Sequence, residues 1–571
     1  MKVAKYAALL GVGLMPAVAA AGMLSDYSTV TSQRLTNPEA GNWLMTRGNY
    51  WGWMYSPLDQ INTANAGSLK PVWSFSTGVD SGHEAPPIVN DGVMFVATPY
   101  AQVIALKAAT GDLIWRYRRE LPDDFGALHN TSRGVALYGN NVYLTGLEPT
   151  TLALDAKTGK VVWETVVEDY HTGYYQTMAP LIVDGKVMVG VSGGEFGVRG
   201  FVQALDAETG KPAWKTFTIP GPGEPGNDTW PGDTWKRGGG AVWNTGTYDP
   251  ELGLTFWGAG NGSPWFGDQR EGDNLYTSST IAIDPKDGSI KGHFQYHWND
   301  SWDWDEMNAP TVVNFEHGGK MVKGLIKPAR NGYLYWLERK ANGIGFVDAK
   351  AYVKQDVFKS IDPSTGRPTY NDDRKPGTGK YAGFCPSLWG GKDWPFEAYN
   401  PKTGLLYIPA NENHCGFLEG KVQEYVAGQW WTGVDIPDIG FVVEKSARHF
   451  GEIQAWNLNT GEQVWSQLYP GMMNWGSLLT TGGGLVFNGG TNDRYFRAYD
   501  ARTGEALWGF RTNSGIMAPP ASYEVDGVQY VAVASGWGVD PAFQQGLMNN
   551  LLGTDTVVPQ GGVIWAFALG E

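Results

Sequence analysis

Short runs of alternating apolar and polar residues recur along the chain, each ending at Asp or Asn before a tight turn. In Ala153-Leu154-Asp155-Ala156-Lys157-Thr158-Gly159 the run leads on to Trp163. The same pattern fills residues 105–111 before Trp115, 204–210 before Trp214, 455–461 before Trp465 and 498–504 before Trp508. Weaker copies occupy residues 282–288 and 398–404. Period-two alternation predicts strands, and the turn glycine supplies a positive φ that other residues resist. The clearest neighbouring copies stand roughly 43–51 residues apart, the interval of a four-stranded propeller blade. Such a small sheet cannot bury both faces alone, so blades must stack, and the Trp reads as a wedge between them. The fold class predicted is all-β, an eight-bladed β-propeller with tryptophan-docking repeats, forming a single domain over residues 22–571. Gly-, Pro- and Trp-rich insertions near 215–240, 340–385 and 410–450 are expected to cover one end of the channel. The final run, 561–569, is expected to pair with N-terminal sequence.

Composition agrees, with 78 Gly, 26 Trp and 27 Tyr, a balance that suits short strands and tight turns rather than helices. Residues 1–21 open with Met1-Lys2-Val3-Ala4-Lys5, continue as an apolar run and end in small residues. That is the pattern of a signal peptide, and it implies export, to the periplasm. No later stretch resembles a membrane span. The net charge of −15 argues against a nucleic-acid partner and permits a basic protein partner. A lone pair of cysteines, Cys385 and Cys415, is most simply a disulfide in an oxidising compartment. No CxxCH, HExxH or four-cysteine zinc pattern occurs.

Two segments carry chemistry. In residues 299–308, alternation places Asp303 and Asp305 on one face if the stretch is extended. Two such carboxylates repel unless a cation or proton lies between them; a solvated acidic loop is the alternative. In residues 191–200 a glycine-rich corner holds Glu195 and lets backbone approach a ligand; an ordinary turn with a surface glutamate is the alternative.

The ordered combination of Ser192-Gly193-Gly194-Glu195-Phe196-Gly197-Val198-Arg199-Gly200, then Gly258-Ala259-Gly260-Asn261 followed by Pro264-Trp265, then Trp302-Asp303-Trp304-Asp305 resembles the PQQ (pyrroloquinoline quinone)-dependent alcohol dehydrogenases. The resemblance runs over nearly the whole chain. It implies that Glu195, Asn261 and Asp303 are metal ligands and that Asp303 is also the catalytic base. It implies that Trp243 is the floor under the quinone and that Glu84, Arg133, Thr177, Ser192, Gly193, Gly194 and Arg330 hold its polar groups. Trp475 reads as a further wall residue, and Asp393, where relatives often show Asn, as a charge near the cofactor. The two cysteines match a family disulfide. Asp305 resembles the extra carboxylate of the lanthanide-dependent branch, with Ca2+ as the alternative metal. The family also implies a small, primary alcohol as substrate, a separate soluble cytochrome c as electron acceptor, and a homodimer. A sugar dehydrogenase of related fold and a non-catalytic envelope scaffold are the other readings. The chain departs from the pattern at Ala127 and Leu128, where many members carry adjacent cysteines over the quinone. Pocket walls are expected from loops, including residues 543–548 and Trp430-Trp431.

Overall fold

The turn repeated in the sequence lies between the third and fourth strands of a sheet. Thr150–Asp155 and Val161–Val166 pair antiparallel around it. The computed structural model describes Leu24 and residues 27–570, so the expected leader of residues 1–21 lies outside the described residues. Among those residues, seven four-stranded sheets and one five-stranded sheet make up the frame, with three smaller sheets of two or three strands inserted in their connections. The chain is all-β in class. Inner strands are buried along their length, as in Val93–Thr98, because a sheet lies against each face. Outer strands such as Val161–Val166 alternate between exposed and half-buried positions.

The tryptophans join one sheet to the next. Trp115 Nε1 donates to the Ala156 carbonyl at 2.9 Å, and Trp163 Nε1 to Ala207 at 3.0 Å. Trp73, Trp214, Trp336, Trp465 and Trp508 make the same bond to Ala108, Pro285, Leu458, Ala501 and Leu69. The turn glycine has a second duty here. A Cβ on Gly111, Gly159, Gly210, Gly288 or Gly504 would stand 2.6 Å from the indole of the preceding sheet. These glycines also hold φ between 69° and 78°. The Thr-Gly turn is therefore both a backbone requirement and the floor on which the wedge rests.

Three details differ from the sequence pattern. The copy at residues 398–404 is the hairpin between the first two strands of its sheet, Ala398–Asn400 and Leu405–Asn411, and nothing packs on Gly404. The nominal insertion at 340–385 begins with the outer strand Gly343–Ala351, so the added segment starts only after it. Residues 543–548 belong to the helix Val539–Leu552 rather than to a loop.

One neighbouring pair of sheets has no Trp between its outer strands, Ile290–Gln295 and Gly343–Ala351. There a Cβ on Gly292 would lie 2.5 Å from Gly343 Cα, and Phe294 stacks on Phe346 with centroids 6.0 Å apart. The C-terminal strand Val563–Leu569 pairs with Leu69–Ser76, as the pattern anticipated. Cys385 and Cys415 are joined as a disulfide. Among the described residues no helix is long and apolar enough to cross a membrane.

Candidate active site

The chain delivers side chains to one place in a regular way. Glu84, Arg133, Thr177, Trp243 and Asp393 each stand a few residues before the first strand of a different sheet, and Trp475 stands before Leu479–Thr481, the second strand of the five-stranded sheet. Glu195, Asn261 and Arg330 follow the second strand of three successive sheets. Asp303 and Asp305 lie in the irregular connection between Ile290–Gln295 and Thr311–Val312. These approaches meet around a cavity of about 270 Å³. Arg133, Thr177, Ser192, Gly193, Gly194 and Glu195 line it, as do Trp243, Asn261, Asp303, Asp305, Arg330 and Asp393. Glu84 and Trp475 stand behind that lining. Glu84 holds Arg133 at 2.9 Å. Trp475 is fully buried and donates to Gln544 Oε1 at 2.7 Å.

Each corner has a local cause. Glu195 sits in a single 3₁₀ turn, Gly194–Phe196, between Gly193 at φ 116° and Gly197 at φ 68°. A Cβ on Gly193 would meet the Gly173 carbonyl at 2.3 Å, so only glycine lets the two backbones touch. Ser263 Oγ donates to the Gly194 carbonyl at 2.8 Å, which ties the Glu195 corner to the Asn261 connection.

Asp305 is held by three donors. Asn261 N–H reaches Oδ1 at 2.8 Å, while Trp243 Nε1 and Arg330 Nη1 reach Oδ2 at 3.1 and 3.3 Å. Arg330 also donates to Asp393 Oδ2 at 2.9 Å. Asp303 is placed otherwise than alternation suggests. It adopts a left-handed φ of 61°, so the stretch is not an extended strand, yet both carboxylates still reach the cavity. Its neighbours Trp302 and Trp304 stack on each other below, with centroids 5.1 Å apart. Asp303 Oδ1 is buried and has no hydrogen-bond partner.

The electrostatics follow from crowding acids in a dry site. Burial, then the charge of Asp305, pushes Glu195 up to about 7. Burial holds Asp303 well above the usual carboxylate range, with Arg330 pulling it back and the Asp305 and Glu195 charges adding to the rise. Asp305 and Asp393 are also raised by burial and lowered by Arg330. A cation between these oxygens would restore their ionised forms. The donor set consists only of oxygens, which suits a hard cation. The orphaned Asp303 oxygen fits such an occupant too.

For a flat, polar-edged cofactor the residues also fit. The Trp243 ring lies under the Arg133 guanidinium, 4.6 Å from its centroid. Arg133 donates to Thr177 Oγ1, which lies 3.2 Å from Ser192 Oγ. Leu128 lines the cavity, whereas Ala127 beside it is not part of the lining. Trp430 is on the wall, and Trp431 fixes the Glu195 carbonyl through its backbone N–H at 2.7 Å. Sequence reasoning missed His129, Tyr175, Trp389 and Asp540, which also line the cavity. His129 lies within the stretch beside Arg133, but nothing in a single sequence marks Asp540 as its partner, 3.7 Å away.

Comparison with known proteins agrees with this geometry. Residues 43–348 and 447–531 match the family described as PQQ: Glucose/ethanol/alcohol dehydrogenase, beta-propeller domain. The quinoprotein alcohol dehydrogenase PedH of Pseudomonas putida is 38% identical over 563 residues, covering 94% of this chain and 92% of that protein. The quinohemoprotein alcohol dehydrogenase ADH IIB of Pseudomonas putida is 38% identical, covering 91% of this chain and 77% of that protein. A solved europium-containing methanol dehydrogenase superimposes with a TM-score of 0.87 at 33% identity, over 94% of this chain and 99% of its own. The chain belongs to the PQQ-dependent quinoprotein alcohol dehydrogenases, a family of oxidoreductases.

Proposed function

We propose that this protein oxidises a primary alcohol to the aldehyde with PQQ and a lanthanide ion. The observation that carries the reading is the oxygen-only cluster of Glu195, Asn261, Asp303 and Asp305, with Asp303 Oδ1 buried and unpaired. Three of the four are carboxylates, and a trivalent ion offsets three negative charges better than a divalent one. The similar methanol dehydrogenase contains europium, which supports this choice. A second reading has its own observation. Asp305 is already paired with Arg330, Trp243 and the Asn261 N–H, so the charge left over would suit Ca2+.

When bound, PQQ supplies the two-electron acceptor and the metal a Lewis acid. The remaining chemistry falls to the chain. Asp303 takes the hydroxyl proton of the alcohol as base. Glu195, Asn261, Asp303 and Asp305 would hold the metal. Trp243, Arg133, Thr177, Ser192, Gly193, Gly194 and Arg330 would hold the quinone, with Glu84 fixing Arg133. Asp393 balances Arg330, and Trp475 stiffens the wall through Gln544. Leu128, Trp389, Ile439 and Phe543 give the cavity apolar sides that exclude water and favour an alcohol larger than methanol.

We take the eight large sheets as the blades of one closed ring spanning residues 22–571, with residues 1–21 removed on export to the periplasm. Electrons leave to a separate soluble cytochrome c, and two copies of the chain pair as a homodimer.

The test is alcohol oxidation with an artificial electron acceptor, after reconstitution with PQQ and either lanthanum or calcium. Activity with lanthanum and little with calcium supports the reading. Activity only with calcium replaces the metal, and activity with neither across several alcohols refutes the substrate class.

A further inference from the structure

Asn261 and Asp303 lie on different connections, one leaving strand Leu254–Gly258 and the other leaving Ile290–Gln295. Neither connection has regular structure across these residues, and at the cavity the Asn261 N–H bond to Asp305 Oδ1 ties one to the other. Arg270 spans them. Its side chain has no exposure. Nε donates to the Pro264 carbonyl at 2.8 Å, and Nη2 to the Trp265 carbonyl at 2.9 Å and the Asp300 carbonyl at 2.6 Å. Nη1 donates to Asn274 Oδ1 at 2.6 Å. The guanidinium lies against Gly262, next to Asn261, where a Cβ would sit 2.3 Å from Cζ.

At the far end of this strut, Asp300 shapes the loop that bears Asp303. Its carboxylate accepts the backbone N–H groups of Trp302, Asp303 and Trp304 at 3.4, 3.2 and 3.4 Å. That cradle supports the left-handed backbone of Asp303, which a residue with a Cβ adopts only at a cost. His297 Nε2 lies 3.1 Å from Asp300 Oδ1, and both side chains are without exposure. Burying a guanidinium is expensive, and an apolar residue often serves stability as well. What an apolar residue cannot copy is a planar fork that binds three carbonyls on two connections at once.

We propose that Arg270 and Asp300 are positioning residues that set the separation of Asn261 from Asp303, and thereby the affinity of the site for its cation. The proposal rests on the reading of Asn261 and Asp303 as metal ligands. Neither Arg270 nor Asp300 lines the cavity, so both act through the residues they hold.

The test uses the full chain loaded with PQQ and titrated with terbium, followed by terbium luminescence. Arg270→Lys keeps the charge and loses the fork. It should weaken terbium binding about 10–100-fold, the usual cost of removing a partner that orients a metal ligand, while PQQ absorbance and melting temperature are retained. Asp300→Asn keeps the side-chain shape and leaves the backbone bond to Arg270 in place, so it reports even if Arg270→Lys does not fold. It should weaken binding as well. Unchanged terbium affinity in folded Arg270→Lys and in Asp300→Asn overturns the strut and leaves the ligand assignment standing. Wild-type protein that binds PQQ but no terbium overturns both.

Discussion

Two junctions between sheets are built from opposite materials. Where Val161–Val166 meets the next sheet, Trp163 rests on Gly210, donates to the Ala207 carbonyl, and repeats a device used at most other junctions. Where Ile290–Gln295 meets Gly343–Ala351, the wedge is missing and two glycines and a phenylalanine pair fill the gap. The connection leaving that second junction carries Asp300, Asp303 and Asp305. The first kind of junction joins two copies of one short motif, the Trp of one resting on the turn glycine of the next. The second spends its residues on partners far away in sequence. Trp304, for instance, donates to the Ser387 carbonyl at 3.0 Å. Regularity thus provides the frame and most of the cavity lining, and its interruption adds Asp303 and Asp305.

Substitutions can separate the two roles. The largest effect should come from Asp303→Ala at the irregular junction. Alcohol turnover by the PQQ- and metal-loaded protein should fall about 10²–10⁴-fold, the contribution of a positioned base, with no drop in melting temperature. Near-normal turnover would remove Asp303 from the base role. Trp163→Ala at the regular junction should do the reverse. Trp163 is half-buried, so the change should cost about 2–4 kcal/mol in denaturant unfolding and leave turnover per folded molecule unchanged.

A third junction answers to acid. His83 is buried against Gly536 and Gly562 of the last sheet, with Nε2 2.9 Å from Thr77 Oγ1. Burial lowers its pKa from 6.5 to about 4. Between those values the unfolded chain binds the extra proton and the folded chain does not, so stability rises with pH across that window. As pH falls from 6.5 to 4, His83 should remove on the order of 3 kcal/mol, and His83→Gln should flatten that part of the unfolding curve. The smallest change is Trp508→Phe. It keeps part of the wedge and loses the bond to the Leu69 carbonyl with some of the ring packing, which should cost about 1–2 kcal/mol. A loss as large as that of Trp163→Ala would show that the phenyl ring keeps none of the wedge's contribution.

What the sequence could tell follows the same division. The strand-turn-strand units and the pairing of 563–569 with the N-terminal strand are legible because alternation, turn glycine and Trp lie within one short window. The positions of Glu195, Asn261 and Asp305 are legible as members of a resembling pattern. The left-handed bend at Asp303 is not, because it depends on the Asp300 carboxylate and not on the alternation around it. Arg270 is also invisible. It lies beyond the motif of residues 258–265, and its bonds run to backbone carbonyls, which leave no mark in residue identities. The helix Val539–Leu552 reads as loop in the sequence because it has no side-chain N-cap and no continuous apolar stripe to announce it.

The pairing of Leu69–Ser76 with Val563–Leu569 also sets an order of events. An early strand must wait for the last one, nearly the whole chain later. Until then it presents an unpaired edge with Trp73 and Phe75 beside it, the kind of surface on which other chains add. A chain stopped after Ser535 keeps every other large sheet but loses the strand between Leu69–Ser76 and Val528–Ser535, together with the helix Val539–Leu552. It should therefore fail by association with its own copies rather than by unravelling, and the late arrival of one seven-residue strand becomes the moment at which the molecule turns safe to accumulate.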